Sequence, residues 1–530
     1  MSKHVNVTRA PFLALLALPL VASTALAQQK DSQSIVEKVF TGDAPKQSDS
    51  SESGLGMLGL SPGTPSVATL PGGVGPAYGV KPKDEQDQVF DYHGFITMPF
   101  RVGLNTRAGV VTTQQHNLVF HAPPVVPDYA DSPNYTSIVP QPYAQLAFTY
   151  GNSIVTGTAI IKAWTATTAE SFFDPSLQGG ITDAFITFNL PNLAKNAHLE
   201  INVGAFSNRY GTMGEYDEGH YGTPLIGQTN GVGENIIGRL ALGDWVLVVE
   251  QGFQGQLDSA PIGLTSDGSN GFADPNAGTA LVEHEHIGFN YRRQLTAGLH
   301  HMVAWSQDDH ANQGFTPDGS INVFGADMRF SASHLGHAYI GASYTVADNA
   351  STVGRILSIM NTQGGLDLMR DYLGSNSNGT GKILTVGGEY NLSLSRLLFY
   401  PRDFDGKSRD VVLSAFGILT NVTSADPHYN GDHKLKIGAE GTYTLLSWLA
   451  ASARLDYVKP TSNFPGQEFG VVSPRLIFRS GWQSRNQVVL QYSHFTYGSS
   501  PLVRSGYPAV DDPTLKPDKD MISLSASMWW

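Results

Sequence analysis

The chain has 530 residues, a formal net charge of −13 at pH 7 and no cysteine. The acidic balance, without any basic cluster, argues against a nucleic-acid partner. The lack of cysteine excludes disulfides, a lipid-modified amino-terminal cysteine and cysteine-ligated metal sites. The 57 glycines, 25 phenylalanines and 21 tyrosines go with a mean hydropathy of −0.14, which is too polar for a helical membrane protein.

The amino terminus has the order of a secretory signal peptide. Lys3 and Arg9 precede an apolar run over residues 12–22, and the segment closes on Ala25-Leu26-Ala27. A basic start, a short apolar core and a small-x-small cleavage site define such a signal. The apolar run is too short to span a bilayer as a helix. We therefore expect a signal peptide over residues 1–27 and Sec-type export.

Residues 28–87 differ in composition from everything that follows. A Ser/Asp/Glu run over 48–53 leads into a Gly/Pro-rich stretch over 54–82. The segment holds few large apolar side chains that could offset the entropy lost on folding. It is expected to be a flexible, mostly disordered periplasmic arm, with one short helix around 34–40. A plug or a cell-wall tether is the functional alternative.

From Val89 onward the sequence alternates with a period of two. In residues 449–457, for example, Ser452, Arg454 and Asp456 alternate with small or apolar residues. Successive side chains of a strand point to opposite faces, so each such segment has one apolar and one mixed face. Most segments have the length that a tilted strand needs to cross an outer membrane. They are 88–101, 142–151, 153–164, 180–189, 197–210, 234–243, 245–256, 281–292, 296–307, 319–331, 335–347, 381–392, 410–420, 432–444, 447–459, 468–480, 486–498 and 519–530.

The connections between these segments alternate in length. They are long after odd-numbered strands and short after even-numbered ones, except at 394–407. Short periplasmic turns and long external loops are typical of transmembrane barrels. A β-sandwich would not separate its connections in this way, and a propeller would show a repeat. The pattern predicts an all-β fold: a closed antiparallel transmembrane barrel over residues 88–530, with about 18 strands, or 16 if the irregular connection is misread.

The carboxyl terminus and the size of the barrel resemble a known class. Residues 522–530 alternate apolar and small polar residues and end on Trp529 and Trp530. This segment resembles the last strand of bacterial outer-membrane proteins, in which a final aromatic belongs to the assembly signal. The resemblance assigns that role to Trp530, and an aromatic that merely anchors at the membrane interface is the alternative.

A barrel of this size also resembles the porins, including the maltoporin-like and substrate-specific ones. That resemblance implies passive diffusion of small hydrophilic solutes through a water-filled pore, without catalysis or a cofactor. It implies contact with outer-membrane lipid and lipopolysaccharide, with the barrel-assembly machinery, and a homotrimer or a monomer. The alternatives are a surface receptor, adhesin or structural barrel with a blocked lumen, and a transporter of apolar molecules plugged by residues 28–87.

The third long connection corresponds by its order to the loop that in many porins folds inward. It carries Glu215, Asp217 and Glu218 among several glycines. An acidic constriction that faces basic wall residues would set a transverse field across the pore. A solvated loop is the alternative. The candidate basic residues on the lumen face are Arg239, Arg292, Arg329, Arg454, Arg475 and Arg479.

Other chemistry is less supported by the sequence. His284 and His286 share one face of a strand, at a spacing that could hold a metal. A third ligand cannot be named, so no metal is expected. No serine, histidine and acid occur at a spacing that requires catalysis, so no enzyme activity is expected.

Overall fold

The structure is a computed structural model, and it describes most of the region after residue 87. The described residues are 88–104, 143–166, 176–194, 196–212, 224–256, 279–292, 294–307, 319–332, 334–348, 380–399, 407–425, 430–459, 468–482, 486–498 and 520–529, with a few single positions between them. The predicted signal peptide and the predicted arm over 28–87 lie outside these residues, as does Trp530.

The described part of the chain forms eighteen strands and one short helix. The strands are β1 (Val89–Gly103), β2 (Tyr143–Gly151), β3 (Val155–Ala166), β4 (Ser176–Ala194), β5 (Ala197–Thr212), β6 (Pro224–Leu242), β7 (Trp245–Gln256), β8 (Thr279–Tyr291), β9 (Leu295–Gln307), β10 (Gly319–Ala332), β11 (Gly336–Asp348), β12 (Thr380–Ser393), β13 (Asp410–Thr423), β14 (His433–Leu446), β15 (Leu449–Lys459), β16 (Phe469–Arg479), β17 (Gln487–Tyr497) and β18 (Asp520–Trp529). The helix α1 is Leu394–Phe399.

Every strand pairs with its neighbour in sequence, and the last strand pairs with the first. β1 lies antiparallel to β2 on one side, with Tyr92 opposite Phe148. On its other side β1 pairs with β18, with Phe95 opposite Trp529. The sheet is therefore a closed antiparallel barrel, and the wall formed by the described strands has no first or last strand with an unpaired edge. The predicted all-β barrel of 18 strands is confirmed, and the 16-strand alternative is wrong.

The irregular connection after β12 holds the helix α1 and does not add or remove a strand. Ser393 acts as its amino-terminal cap, since its Oγ accepts a hydrogen bond from the amide of Arg396 at 3.2 Å. The Ser393 hydroxyl also donates to Asp410 at the start of β13, at 2.6 Å. β12 and β13 remain in register across the helix, with Ser393 opposite Val412.

The two faces of the wall differ in the way that the alternation predicts. On β15, Ser452, Arg454 and Asp456 point to the lumen and are buried, whereas Leu455 and Tyr457 point outward with 57% and 39% of their surface exposed. Similar outward apolar residues recur on all the other strands, such as Phe90, Ile186 and Leu524. An apolar outer band around a polar interior is the arrangement of a barrel that spans an outer membrane.

Within the part of the chain that the structure describes, no helix is long and apolar enough to cross a membrane.

Candidate functional site

The candidate site is the lumen, and a hairpin of the wall folds into it. β5 pairs with β4 only up to Ala205, and β6 pairs with β7 only up to Val232. Beyond these two residues, β5 and β6 pair in the described structure only with each other, out to Thr212 opposite Pro224. We call residues 206–212 and 224–231 the inner hairpin.

A pair of glycines marks the point where the inner hairpin leaves the wall. Gly204 lies directly opposite Gly233 in the β5–β6 register. Gly204 has a φ of +139°, a region that L side chains rarely adopt. A Cβ at Gly204 would overlap the carbonyl oxygen of Ala184, and one at Gly233 would overlap that of Phe253. Both backbones therefore approach their neighbours too closely for any side chain, so the bend needs glycine on both strands.

The inner hairpin extends across part of the lumen and packs on the wall formed by β10–β13. Leu225 forms an apolar cluster with Tyr339 of β11 and Ile418 of β13, all of them almost fully buried. The hydroxyl of Ser343 donates to the carbonyl of Leu225 at 3.1 Å. Ile226 occupies the space above Gly325 of β10, where a Cβ would come within 2.6 Å of its side chain. These contacts fix the far end of the inner hairpin on strands that lie four to seven positions around the 18-stranded barrel from β6.

A buried polar cluster holds the nearer part of the inner hairpin. The hydroxyl of Tyr210 donates to Glu250 Oε1 at 3.1 Å, and the amide of Asn235 donates to the same oxygen at 2.9 Å. Glu250 also lies 3.2 Å from His284 Nε2, and only 2% of the residue is exposed. The ring of Tyr210 packs on His284 at 5.1 Å and on His300 at 5.6 Å between centroids. Tyr210 therefore ties the inner hairpin to β7, β8 and β9.

The predicted metal candidates belong to this cluster. His284 and His286 lie on the lumen face of β8, and both are 1% exposed. His286 stacks on His300 with 4.4 Å between ring centroids, and His300 Nε2 lies 2.7 Å from Asp327 Oδ1. Stacked imidazole rings direct their nitrogen lone pairs side by side and not toward a common point. No group of three His, Asp or Glu side chains that could hold a metal occurs among the described residues.

A second charged cluster lies on the lumen face of β14–β16. Arg454 forms a two-pronged contact with Asp456 at 2.8–3.0 Å, and its guanidinium carbon lies 4.5 Å from the ring centre of Phe416. Arg475 donates to Glu440 at 3.1 Å. Bidentate Arg–carboxylate pairs are rigid and directional. Lys434 and Lys436 of β14 are buried on the same face. The β14–β16 wall is therefore the most basic described part of the lumen.

The other predicted basic residues lie nearer the periplasmic turns. Arg239 pairs with Glu200 at 2.8 Å on the wall formed by β5 and β6. The guanidinium of Arg329 lies 5.1 Å from the ring centre of Tyr339, which faces the lumen. Arg479 is the last residue of β16.

The placement of Arg292 on the lumen wall is wrong. β8 ends at Tyr291, so the alternation stops one residue before it. Arg292 lies in the following turn with a φ of 45° and an ion pair to Asp244, and 56% of its side chain is exposed. The hydrogen bond to Asp244 raises the pKa of Arg292.

The acidic residues of the predicted constriction, Glu215, Asp217 and Glu218, lie outside the described residues. The segment that carries them, 213–223, starts and ends at the inner hairpin. Its return point is known, because Leu225 packs on Ile418, and Ile418 is the register partner of Lys436 on β14. The described residues that flank the segment, Thr212 and Pro224, therefore belong to the inner hairpin, whose far end packs one strand away from the basic wall.

Sequence reasoning missed Glu250 and Tyr210. Glu250 could have been found, because it occupies the polar phase of β7 with Gln254, opposite the apolar residues that face outward. Tyr210 gives no such signal, because an aromatic at the end of a strand also fits a membrane girdle. Tyr210 faces the lumen only because the inner hairpin leaves the wall.

Comparison with known proteins gives similar solved structures only. No family model and no curated protein matches the chain. OmpT, an outer membrane protein of Vibrio cholerae, is 9% identical with a TM-score of 0.35, over 84% of this chain and 98% of that one. OccAB1 of Acinetobacter baumannii is 9% identical with a TM-score of 0.40, over 84% and 97%. OmpF of Salmonella typhi, solved with daunomycin, is 12% identical with a TM-score of 0.34, over 83% and 97%.

The chain is an outer-membrane β-barrel. β1 pairs with β18 to close the sheet, and the outer face of the sheet is apolar, as a barrel that spans an outer membrane requires. The similar structures are too distant to add to this conclusion.

Proposed function

We propose that the chain is a porin, through which small hydrophilic solutes diffuse passively along a water-filled lumen. The observation that carries the proposal is the inner hairpin, which extends across part of a lumen lined by hydrogen-bonding and charged side chains. A barrel of 18 strands is wide enough to leave space that wall side chains do not fill. A hairpin fixed at both its near and far parts narrows that space to a defined size without blocking the lumen.

The proposal includes the placement and the partners of the chain. The signal peptide over residues 1–27 directs Sec-type export, the barrel-assembly machinery inserts the barrel, and Trp530 belongs to the signal for that step. The barrel contacts outer-membrane lipid and lipopolysaccharide, and it acts without catalysis or a cofactor. A homotrimer and a monomer both agree with this function.

The charge arrangement supports a constriction that prefers cations. The segment with Glu215, Asp217 and Glu218 connects the two strands of the inner hairpin, and the wall next to the packed end of that hairpin carries Lys436 and, further along, Arg454. Opposed charges across a narrow pore set a transverse field that separates solutes by charge and by dipole. Most of the wall arginines already contact carboxylates, so the acidic segment supplies the net charge of the constriction.

Neutralising that segment is expected to weaken the preference for cations. The triple variant Glu215→Gln, Asp217→Asn and Glu218→Gln should lower the cation-to-anion permeability ratio, because the basic wall then dominates the local field. The measurement is the reversal potential in a salt gradient across a planar bilayer. Asp348→Asn is the control, because it removes one negative charge at the outer end of β11, on the face that points away from the lumen. An unchanged ratio in the triple variant would remove these three acids from the pore.

Size selection provides a direct test of passive diffusion. Liposomes that contain the folded protein are expected to swell in small neutral sugars, and the rate should fall steeply as the sugar grows. Such a cut-off follows from a rigid constriction of fixed width. Empty liposomes and liposomes with heat-denatured protein are the controls. Swelling no faster than in those controls would reject the porin and favour a barrel with a blocked lumen.

A further inference from the structure

Among the described residues, the outward face of the barrel carries a polar interruption on β7–β9, which no part of the proposed pore explains. On the described outward positions of β1–β5 and β11–β18, charged side chains occur only near the outer ends of strands. On β7–β9, by contrast, polar and charged residues occupy the middle of the outward face. We call Gln251, Glu283, Glu285 and His301 the outer-wall patch.

The outer-wall patch is continuous across three strands. Glu285 of β8 is the register partner of Gln251 on β7 and of His301 on β9. The amide of Gln251 donates to Glu283 at 3.2 Å, and His301 Nδ1 lies 3.6 Å from Glu285 Oε2. The His301 ring also stacks on Phe324 of β10 at 4.7 Å. Side-chain exposure is 34% for His301 and 43% for Glu285, so both retain surface that a partner could cover.

Gln251, Glu285 and His301 lie between two levels of aromatic residues, and Glu283 lies level with the outer one, opposite Phe253. Trp245 and Tyr291 pack at 4.8 Å near the periplasmic turns, and Phe253 and Trp305 pack at 6.3 Å near the outer ends of their strands. Aromatic girdles mark the two interfaces of the membrane around a barrel. Glu285 and His301 thus lie within the hydrocarbon layer, where neither lipid tails nor water can satisfy a carboxylate or an imidazole.

We propose that the outward face of β6–β9 is the contact surface with a second copy of this chain. The occupant must itself lie in the membrane, because lipopolysaccharide head groups lie above the outer girdle. The patch combines acceptors, on Glu283 and Glu285, with donors, on Gln251 and His301, so it can pair with the same patch of a second copy. Four strands about 4.8 Å apart and a band about 25 Å tall give roughly 500 Å² per copy. Two copies then bury about 1,000 Å², the lower bound of a specific interface.

The proposal rests on the membrane placement of the barrel and not on an open pore. Substitution with leucine separates the two environments that the patch could face. If the patch faces lipid, the double variant Glu285→Leu with His301→Leu should be at least as stable as the wild type, and its oligomeric state should not change. In a subunit interface, the same variant loses hydrogen-bonding groups and should dissociate about tenfold more readily. Leu455→Ala, on the outward face of β15, is the control on the opposite wall.

The test is native mass spectrometry of the full chain in mild detergent, with heat-modifiable gel mobility to confirm folding. We expect an oligomer for the wild type and for Leu455→Ala, and mainly monomer for the double variant. A second readout uses the cysteine-free chain: a bis-maleimide should crosslink Glu285→Cys between copies but not Leu455→Cys. The proposal would be overturned if the wild type were a monomer or if the double variant remained an oligomer. It would also be overturned if Glu285→Cys crosslinked to a different protein, or if only Leu455→Cys crosslinked between copies. Each of these outcomes leaves the bilayer conductance, and with it the porin proposal, untouched.

Discussion

Replacing Gly233 with valine is expected to release the inner hairpin and raise the single-channel conductance. A Cβ at this position overlaps the carbonyl oxygen of Phe253, so β6 cannot keep its register with β7 and also bend into the lumen. Overpacking of this kind typically destabilises a protein by about 1–3 kcal/mol, which a barrel with a continuous ladder should tolerate. With the hairpin displaced, the remaining lumen is wider and its charge preference weaker.

The matched control is Gly238→Val on the same strand. Gly238 faces outward, and a Cβ there lies 3.7 Å from the nearest atom, the carbonyl oxygen of Val249, which is an ordinary contact. Conductance should therefore stay at the wild-type value. If Gly233→Val abolishes folding, Gly204→Ala tests the same bend from β5, where the positive φ adds strain. A folded Gly233→Val or Gly204→Ala variant with wild-type conductance would contradict the role of this bend.

Replacing Glu250 with leucine is expected to detach the near part of the inner hairpin and to destabilise the barrel. The buried carboxylate accepts from Tyr210 and Asn235 and contacts His284, so its removal takes a hydrogen-bond partner from each of three buried polar groups. Each such group costs about 1–3 kcal/mol, so a loss of about 3 kcal/mol or more is expected in the free energy of unfolding. In planar bilayers the current should flicker, because Tyr210 loses the hydrogen bond that joins its hydroxyl to β7.

Glu250→Gln is the isosteric control, because its amide oxygen can still accept from Tyr210 and Asn235. Its stability should fall by less than that of Glu250→Leu, and its current should stay steadier. Tyr210→Phe removes one hydrogen bond but keeps the ring packing on His284 and His300, so an intermediate current is expected. The stability is measured by urea titration of the heat-modifiable gel shift. Equal stability and equal current noise in all three variants would show that Glu250 does not hold the hairpin.

Much of the barrel was predictable, because lipid imposes a simple rule on the wall. Residues that face the lipid must be apolar, so a period of two in the sequence identifies a strand. β15, for example, was predicted at 447–459 and is found at Leu449–Lys459. The main error lies at β6, which was predicted to start at residue 234 but begins at Pro224. Residues 224–231 have no lipid face, so the alternation that identifies a membrane strand is missing there.

The site was predictable only in its wall. The lumen phase of the alternation correctly places Arg454 and Arg475, because both faces of a strand are determined once one face is known. The same alternation predicted the wrong position for Arg292, because β8 ends at Tyr291. The packing of Leu225 on Tyr339 joins residues more than a hundred positions apart in the chain. Such a contact depends on barrel closure and hairpin direction, which no local pattern contains.

The most direct test of the central claim is the single-channel conductance of the full folded chain in a planar bilayer. An open lumen narrowed by a fixed hairpin predicts stable, discrete current steps whose size increases in proportion to salt concentration. The protein without its signal peptide, refolded and verified by heat-modifiable mobility, is the sample. Correctly folded protein that inserts into the bilayer but carries no current would contradict the account.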